Sequence, residues 1–102
     1  MSVTYVIVFH VRPAQRERFL ALLNGVLDAM RREENFRNAT LHRDPVDPDR
    51  FMLHETWADH QDVLDVQIKR SYRDAWHAAL EDILERPREI SMWEEMRADR
   101  KA

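Results

Sequence analysis

The sequence contains no cysteine and a single glycine. Without cysteine there is no disulfide, no thiolate metal site and no cysteine nucleophile, and the composition fits a reducing compartment, so the cytoplasm is the expected location. One glycine cannot build the phosphate-cradling loops of dinucleotide or nucleoside-triphosphate sites, and no nucleotide cofactor is expected. No run of about eighteen apolar residues occurs and no basic-then-apolar leader opens the chain, so neither a membrane span nor a secretory signal is expected. Lys and Arg number 16 against 19 Asp and Glu, a net charge of −3. The two signs are interspersed, and with no basic block to track a phosphate backbone, nucleic acid is disfavoured as a partner.

What remains is 102 residues, 44% of them hydrophobic, which describes a single domain over 1–102 with one core. The stretch "SVTYVIVFHV" is rich in β-branched and aromatic residues and stops at Pro13, so it reads as a strand feeding a helix. Phe19, Leu23, Val26, Leu27 and Met30 then recur at three-to-four spacing, the buried stripe of a helix of about five turns. "FRNATLHRDPVDPDRFMLHETW" holds two extended runs around an Asp/Pro-rich centre, the chemistry of a hairpin. Asp59 is placed to cap a helix through Val63, Leu64 and Ile68. Ser71 with Asp74 resembles a second capping box, so a break is expected near Arg70. Tyr72, Trp76, Ala79, Leu80, Ile83 and Leu84 form the next stripe, and Pro87 stops that helix before a last strand, "EISMWEEM". Strand, helix, strand, strand, helix, strand is the order of a ferredoxin-like βαββαβ plait, an α+β fold with a four-stranded antiparallel sheet and helices on one face.

Val3, Tyr5, Ile7, Phe9 and Val11 make one apolar face of the first strand, yet Val6 and Val8 lie on the other. Helices cover only one face, so the second is expected to meet another sheet, most simply that of an identical subunit.

Chemistry is sparse outside the third strand, where Glu55 shares the face of Phe51, Leu53 and Trp57. His10, His42 and His54 fall on one sheet face if the registers align, but none has the short spacing of a preformed metal pair, and no metal is expected. Met30, Met52, Met92 and Met96 read as gap fillers. Ser2, Ser71 and Ser91 lack the context of an activated nucleophile.

The segment "FMLHETWADHQDVLD" resembles the strand-to-helix segment of the antibiotic biosynthesis monooxygenase (ABM) family, a Glu-x-Trp followed by a capped helix. The similarity extends to length, element order, the long first helix and the C-terminal strand with Met92 and Trp93. It implies a dimeric α+β barrel with a cavity between each sheet and its helices. It also implies oxidation of a phenolic or quinol substrate by dioxygen with neither metal nor flavin. Relatives in that superfamily degrade haem, and others have no known activity. On this resemblance Glu55 is a cavity carboxylate that orients or deprotonates the substrate, Trp57 lines the substrate site and stacks on it, and His77 on the later helix matches a basic residue that serves as the catalytic base. Gln67 is an orienting group and Trp76 a further aromatic at the substrate. The residues alone also allow a core role for Trp57, a paired carboxylate for Glu55 and a border position for His77. The chain departs from the family pattern at Val66 and Gln67, where many members carry a histidine, and at "SYRDAW", where Ser-x-His-Phe is usual. Gln67 can hydrogen-bond a phenol but cannot serve as a base near neutral pH. Two functions are therefore carried forward: a cofactor-independent monooxygenase of small aromatics or quinols, and a non-catalytic homodimer that binds a small apolar ligand or sustains a stress-related assembly.

Overall fold

The computed structural model describes residues 2–101; the two end positions of the domain expected over 1–102 lie outside that range. β1 (Val3–His10) leads through a 3-10 turn at Pro13–Gln15 into α1 (Arg16–Met30). The hairpin β2 (Phe36–Arg43) and β3 (Arg50–Trp57) follows, then α2 (His60–Asp65), α3 (Asp74–Ile83) and β4 (Glu89–Trp93). The strands pair antiparallel throughout in the order β2-β3-β1-β4. This is the ferredoxin-like α+β plait that the element order predicts.

The period-two patterning decides which side chains meet the helices. Val3, Tyr5, Ile7 and Phe9 of β1 stand beside Phe51, Leu53, Glu55 and Trp57 of β3, and all eight are buried. Phe19, Leu23, Val26 and Met30 of α1 and Trp76, Ala79 and Ile83 of α3 close over them. Phe9, Phe19, Phe51 and Trp76 form an aromatic cluster with ring centroids 4.9–5.7 Å apart, in the offset and edge-on geometries that add about 0.5–1.5 kcal/mol per pair beyond area burial. Asp44 holds the hairpin: its Oδ1 accepts from the backbone N–H of Val46 and Asp47, and its carboxylate pairs with Arg50 at 3.1 Å.

Several boundaries differ from the sequence expectation: Tyr72 and Leu84, expected on the last helix, flank α3, Tyr72 in a 3-10 turn and Leu84 bridged to Val11. The helix capped by Asp59 ends at Asp65 instead of passing through Ile68; Gln67 turns inward to hydrogen-bond Asp62 and Glu33, and the chain continues as two 3-10 turns with Arg70 extended between them. Ser71 forms no capping box with Asp74, since it lies inside the second of those turns and α3 has no side-chain cap. The last strand ends at Trp93, three residues short of Met96, because its partner strand runs out: Trp93 already faces Thr4, next to the first residue of β1.

The other sheet face carries no helix. Val6 and Val8 lie there half-buried, beside a Thr4–Thr56 hydroxyl hydrogen bond of 2.9 Å.

Candidate active site

Antiparallel register places Glu55 between Tyr5 of β1 and Ala39 of β2 on the helix-facing side of the sheet. The small Ala39 leaves the carboxyl flanked by one large neighbour, the Tyr5 ring. Glu55 is 6% exposed, a position where an ionised carboxylate needs compensation. Compensation comes from two arginines on separate elements. Arg73, in the turn that opens α3, holds its guanidinium 5.9 Å from the centre of the Trp57 ring. Arg88 lies half-buried between Pro87 and β4. His77 follows Trp76 on α3: Trp76 points into the core and His77 outward on the lip.

These groups sense one another. Burial pushes the Glu55 carboxyl above its ordinary value, opposed by the charge of Arg73, the Trp57 indole and the charge of Arg88. Burial also lowers His77, helped by Arg88 and Arg73 and opposed by Asp74. Arg88 is lowered by burial and by Arg73, and raised by Glu55. The Tyr5 phenol is raised by burial and by the charge of Glu55. A carboxyl, an imidazole, a phenol and two guanidiniums therefore form one electrostatic unit between the sheet and α3. Such clustering of perturbed groups is characteristic of functional sites.

The Tyr5 hydroxyl lies 2.6 Å from His60 Nδ1. The hydroxyl and the ring nitrogen share a hydrogen bond that ties β1 to the start of α2.

The residues predicted from the sequence separate into three places. Glu55 and His77 belong to the unit just described. Trp57 borders it, fully buried, stacked edge-on against Phe36 at 5.5 Å and under Arg73, with its indole Nε1 lacking a well-formed hydrogen bond. Trp76 sits in the aromatic cluster, 3% exposed. Gln67 lies in a separate polar knot, donating to Asp62 at 3.1 Å and Glu33 at 3.3 Å, with Tyr72 donating to both Glu33 and Gln67 and Arg70 paired with Glu33. His10, His42 and His54 do share the helix-free face, but among the described residues no group of three or more metal-ligating side chains comes together.

Sequence reasoning passed over Tyr5, His60, Arg73 and Arg88. Tyr5 carried a legible signal, the one polar tip on an otherwise apolar strand face. Arg88 carried none, because it joins Glu55 only through the β1–β4 pairing.

Beyond Arg88 a groove of about 630 Å³ opens between the end of α3 and β4, walled by Leu80, Leu84, Pro87 and Ile90. Ile90 and Met92 of β4 are about half exposed and stand on the same sheet face as Ile7 and Tyr5. The cleft thus has an apolar approach and a charged inner end.

The sequence signature described as "Antibiotic biosynthesis monooxygenase" matches residues 2–79. The chain belongs to the antibiotic biosynthesis monooxygenase family. The protein named "Putative monooxygenase GME11364" of Pestalotiopsis microspora is 32% identical over 96 residues, covering 93% of this chain and 80% of that protein. Among solved structures, Rv0793 from Mycobacterium tuberculosis superposes with a TM-score of 0.85 at 21% identity, over 96% of this chain and 98% of that one. SnoaB, a cofactor-independent oxygenase from Streptomyces nogalater, superposes at 0.80 with 21% identity and 95% coverage of both chains. At these identities the two structures establish the shared fold. Glu55-Thr56-Trp57, which closes β3, lies inside the matched residues.

Proposed function

We propose that this ABM protein is a cofactor-independent monooxygenase that oxidises a small aromatic or quinol substrate with dioxygen in the cleft between α3 and β4. The observation that carries the reading is the shared surroundings of Glu55 and His77: a buried carboxyl biased toward its acid form and an accessible imidazole biased toward its neutral form, both facing Arg73 and Arg88. A neutral imidazole on the lip is fit to take a phenolic proton. The resulting anion is stabilised by the two guanidiniums, and it is electron-rich enough to pass one electron to dioxygen. The radical pair joins to form a carbon–oxygen bond. When the oxygen–oxygen bond then breaks, the ring carbon loses its hydrogen as a proton and becomes a carbonyl. The departing oxygen gathers two protons and leaves as water. Glu55, biased toward its acid form by burial, orients the substrate and in that form supplies one of those protons. Trp57 backs Arg73, and Trp76 supports the helix that presents His77. Gln67 enters this scheme only through the turn that leads to Arg73.

The catalytic unit is proposed to be a single domain acting as a homodimer, because Val6 and Val8 are incompletely covered and Trp93, on the same sheet face, is 59% exposed, an apolar area that a second copy would cover. No described helix is long and apolar enough to cross a membrane.

Oxygen uptake with a panel of phenols, naphthols and quinols tests the proposal. Turnover is expected for at least one of them, and His77→Ala should slow it about a hundredfold while the fold, followed by circular dichroism, is retained. No uptake across the panel would instead support a non-catalytic dimer that binds a small apolar ligand.

A further inference from the structure

We propose that the substrate carries a carboxylate and that Arg88, with Arg73 behind it, receives it. This inference rests on the reading of the cleft as the substrate site and adds a chemical class to it. Arg88 lines the groove together with Leu80, Leu84 and Ile90, and at the groove's inner end it lies close enough to Glu55 and His77 to act on both.

The two guanidiniums there are unpaired. Among the described residues neither Arg73 nor Arg88 comes within ion-pair distance of a carboxylate, and Arg73 Nε is buried without a hydrogen-bond partner. Glu55 acts on Arg88 and Asp74 on His77 from beyond ion-pair distance of either guanidinium, so neither arginine has a paired carboxylate. At the outer rim, by contrast, Arg12 and Arg86 are matched in number by Glu81 and Glu85. A partly buried guanidinium with no counter-charge is costly, and an anionic ligand removes that cost. The apolar walls suit an aromatic ring. The planar fork of one guanidinium suits a carboxylate through two parallel hydrogen bonds. An aromatic acid placed with its carboxylate on Arg88 would lay its ring along Leu80 and Ile90.

Titration calorimetry under argon, with the full chain and three ligands, tests this. The ligands are hydroxynaphthoate, naphthol and naphthyl phosphate. Hydroxynaphthoate is expected to bind at least about tenfold more tightly than naphthol, with an advantage that shrinks as salt is added. Arg88→Gln should bring the ratio of the two affinities close to one. If Arg88→Gln does not fold, Arg88→Lys serves in its place: it keeps the charge, loses the fork, and should keep only part of the ratio. Equal affinities for the acid and naphthol, binding of neither, a ratio that survives Arg88→Gln or Arg88→Lys in full, or tighter binding of naphthyl phosphate than of the acid would each overturn the proposal. Because no oxygen is present, the result is independent of turnover. Oxygen uptake with neutral quinols but no preference for the acid would sink this inference and leave the monooxygenase reading; a preference for the acid without uptake would do the reverse.

Discussion

Glu55 and His77 are pushed in opposite directions by similar surroundings, since burial favours the uncharged form of each. For Glu55 the folded-state value lies above the ordinary 4.5. The folded protein therefore holds that proton more tightly than the unfolded chain does. Its contribution to stability is fully present below about pH 4.5 and is lost as pH rises through the folded value. Glu55→Gln removes this titration, so between about pH 4 and about pH 8 the melting temperature of the variant should fall less than that of the wild type. Parallel pH profiles would contradict a desolvated carboxyl. His77 is lowered from 6.5, so the acid limb of the kcat/KM profile should fall at or below that pH and disappear in His77→Ala. At this scale the sequence was legible where alternation alone decides: residues 51, 53, 55 and 57 share a face whatever the tertiary structure. Arg73 and Arg88 were not, because their meeting at Glu55 depends on the turn before α3 and on the pairing of an edge strand.

Helix starts are written locally and helix ends are not, as α2 illustrates. Asp59 is extended and accepts a hydrogen bond from the Gln61 N–H at 3.2 Å, as its side chain predicts. The far end is set by Gln67, which is 2% exposed and must find partners on α2 and beyond α1, a demand no local pattern announces. Ser71 has the right residue type and spacing for a cap, but Tyr72 packs against the core and hydrogen-bonds Glu33, drawing the chain into a 3-10 turn instead. Asp59→Ala is accordingly expected to cost about 1 kcal/mol, and Ser71→Ala less than about 0.5 kcal/mol, measured by urea denaturation. A loss at Ser71 equal to that at Asp59 would mean that Ser71 caps α3 after all.

At the scale of the molecule, one sheet face is filled by helices and the other is not, and the two valines of β1 that gave this away in the sequence are the ones left half-covered. Val6 is the sharper probe of the pair, because Glu89 stands across from Val8 and could pair with a lysine introduced there. The wild type should sediment as a dimer at micromolar concentration and Val6→Lys as a monomer, since a buried unpaired ammonium opposes association. A monomeric wild type would contradict the assembly. The chemistry admits a more direct test than the assembly does. Purified protein treated with a chelator is given an accepted quinol or naphthol under isotopically labelled dioxygen, and the product is weighed by mass spectrometry. One labelled oxygen atom in the quinone, with the other in water, is the result the account expects; a quinone free of label, or no consumption of oxygen by the chelated protein, would contradict it.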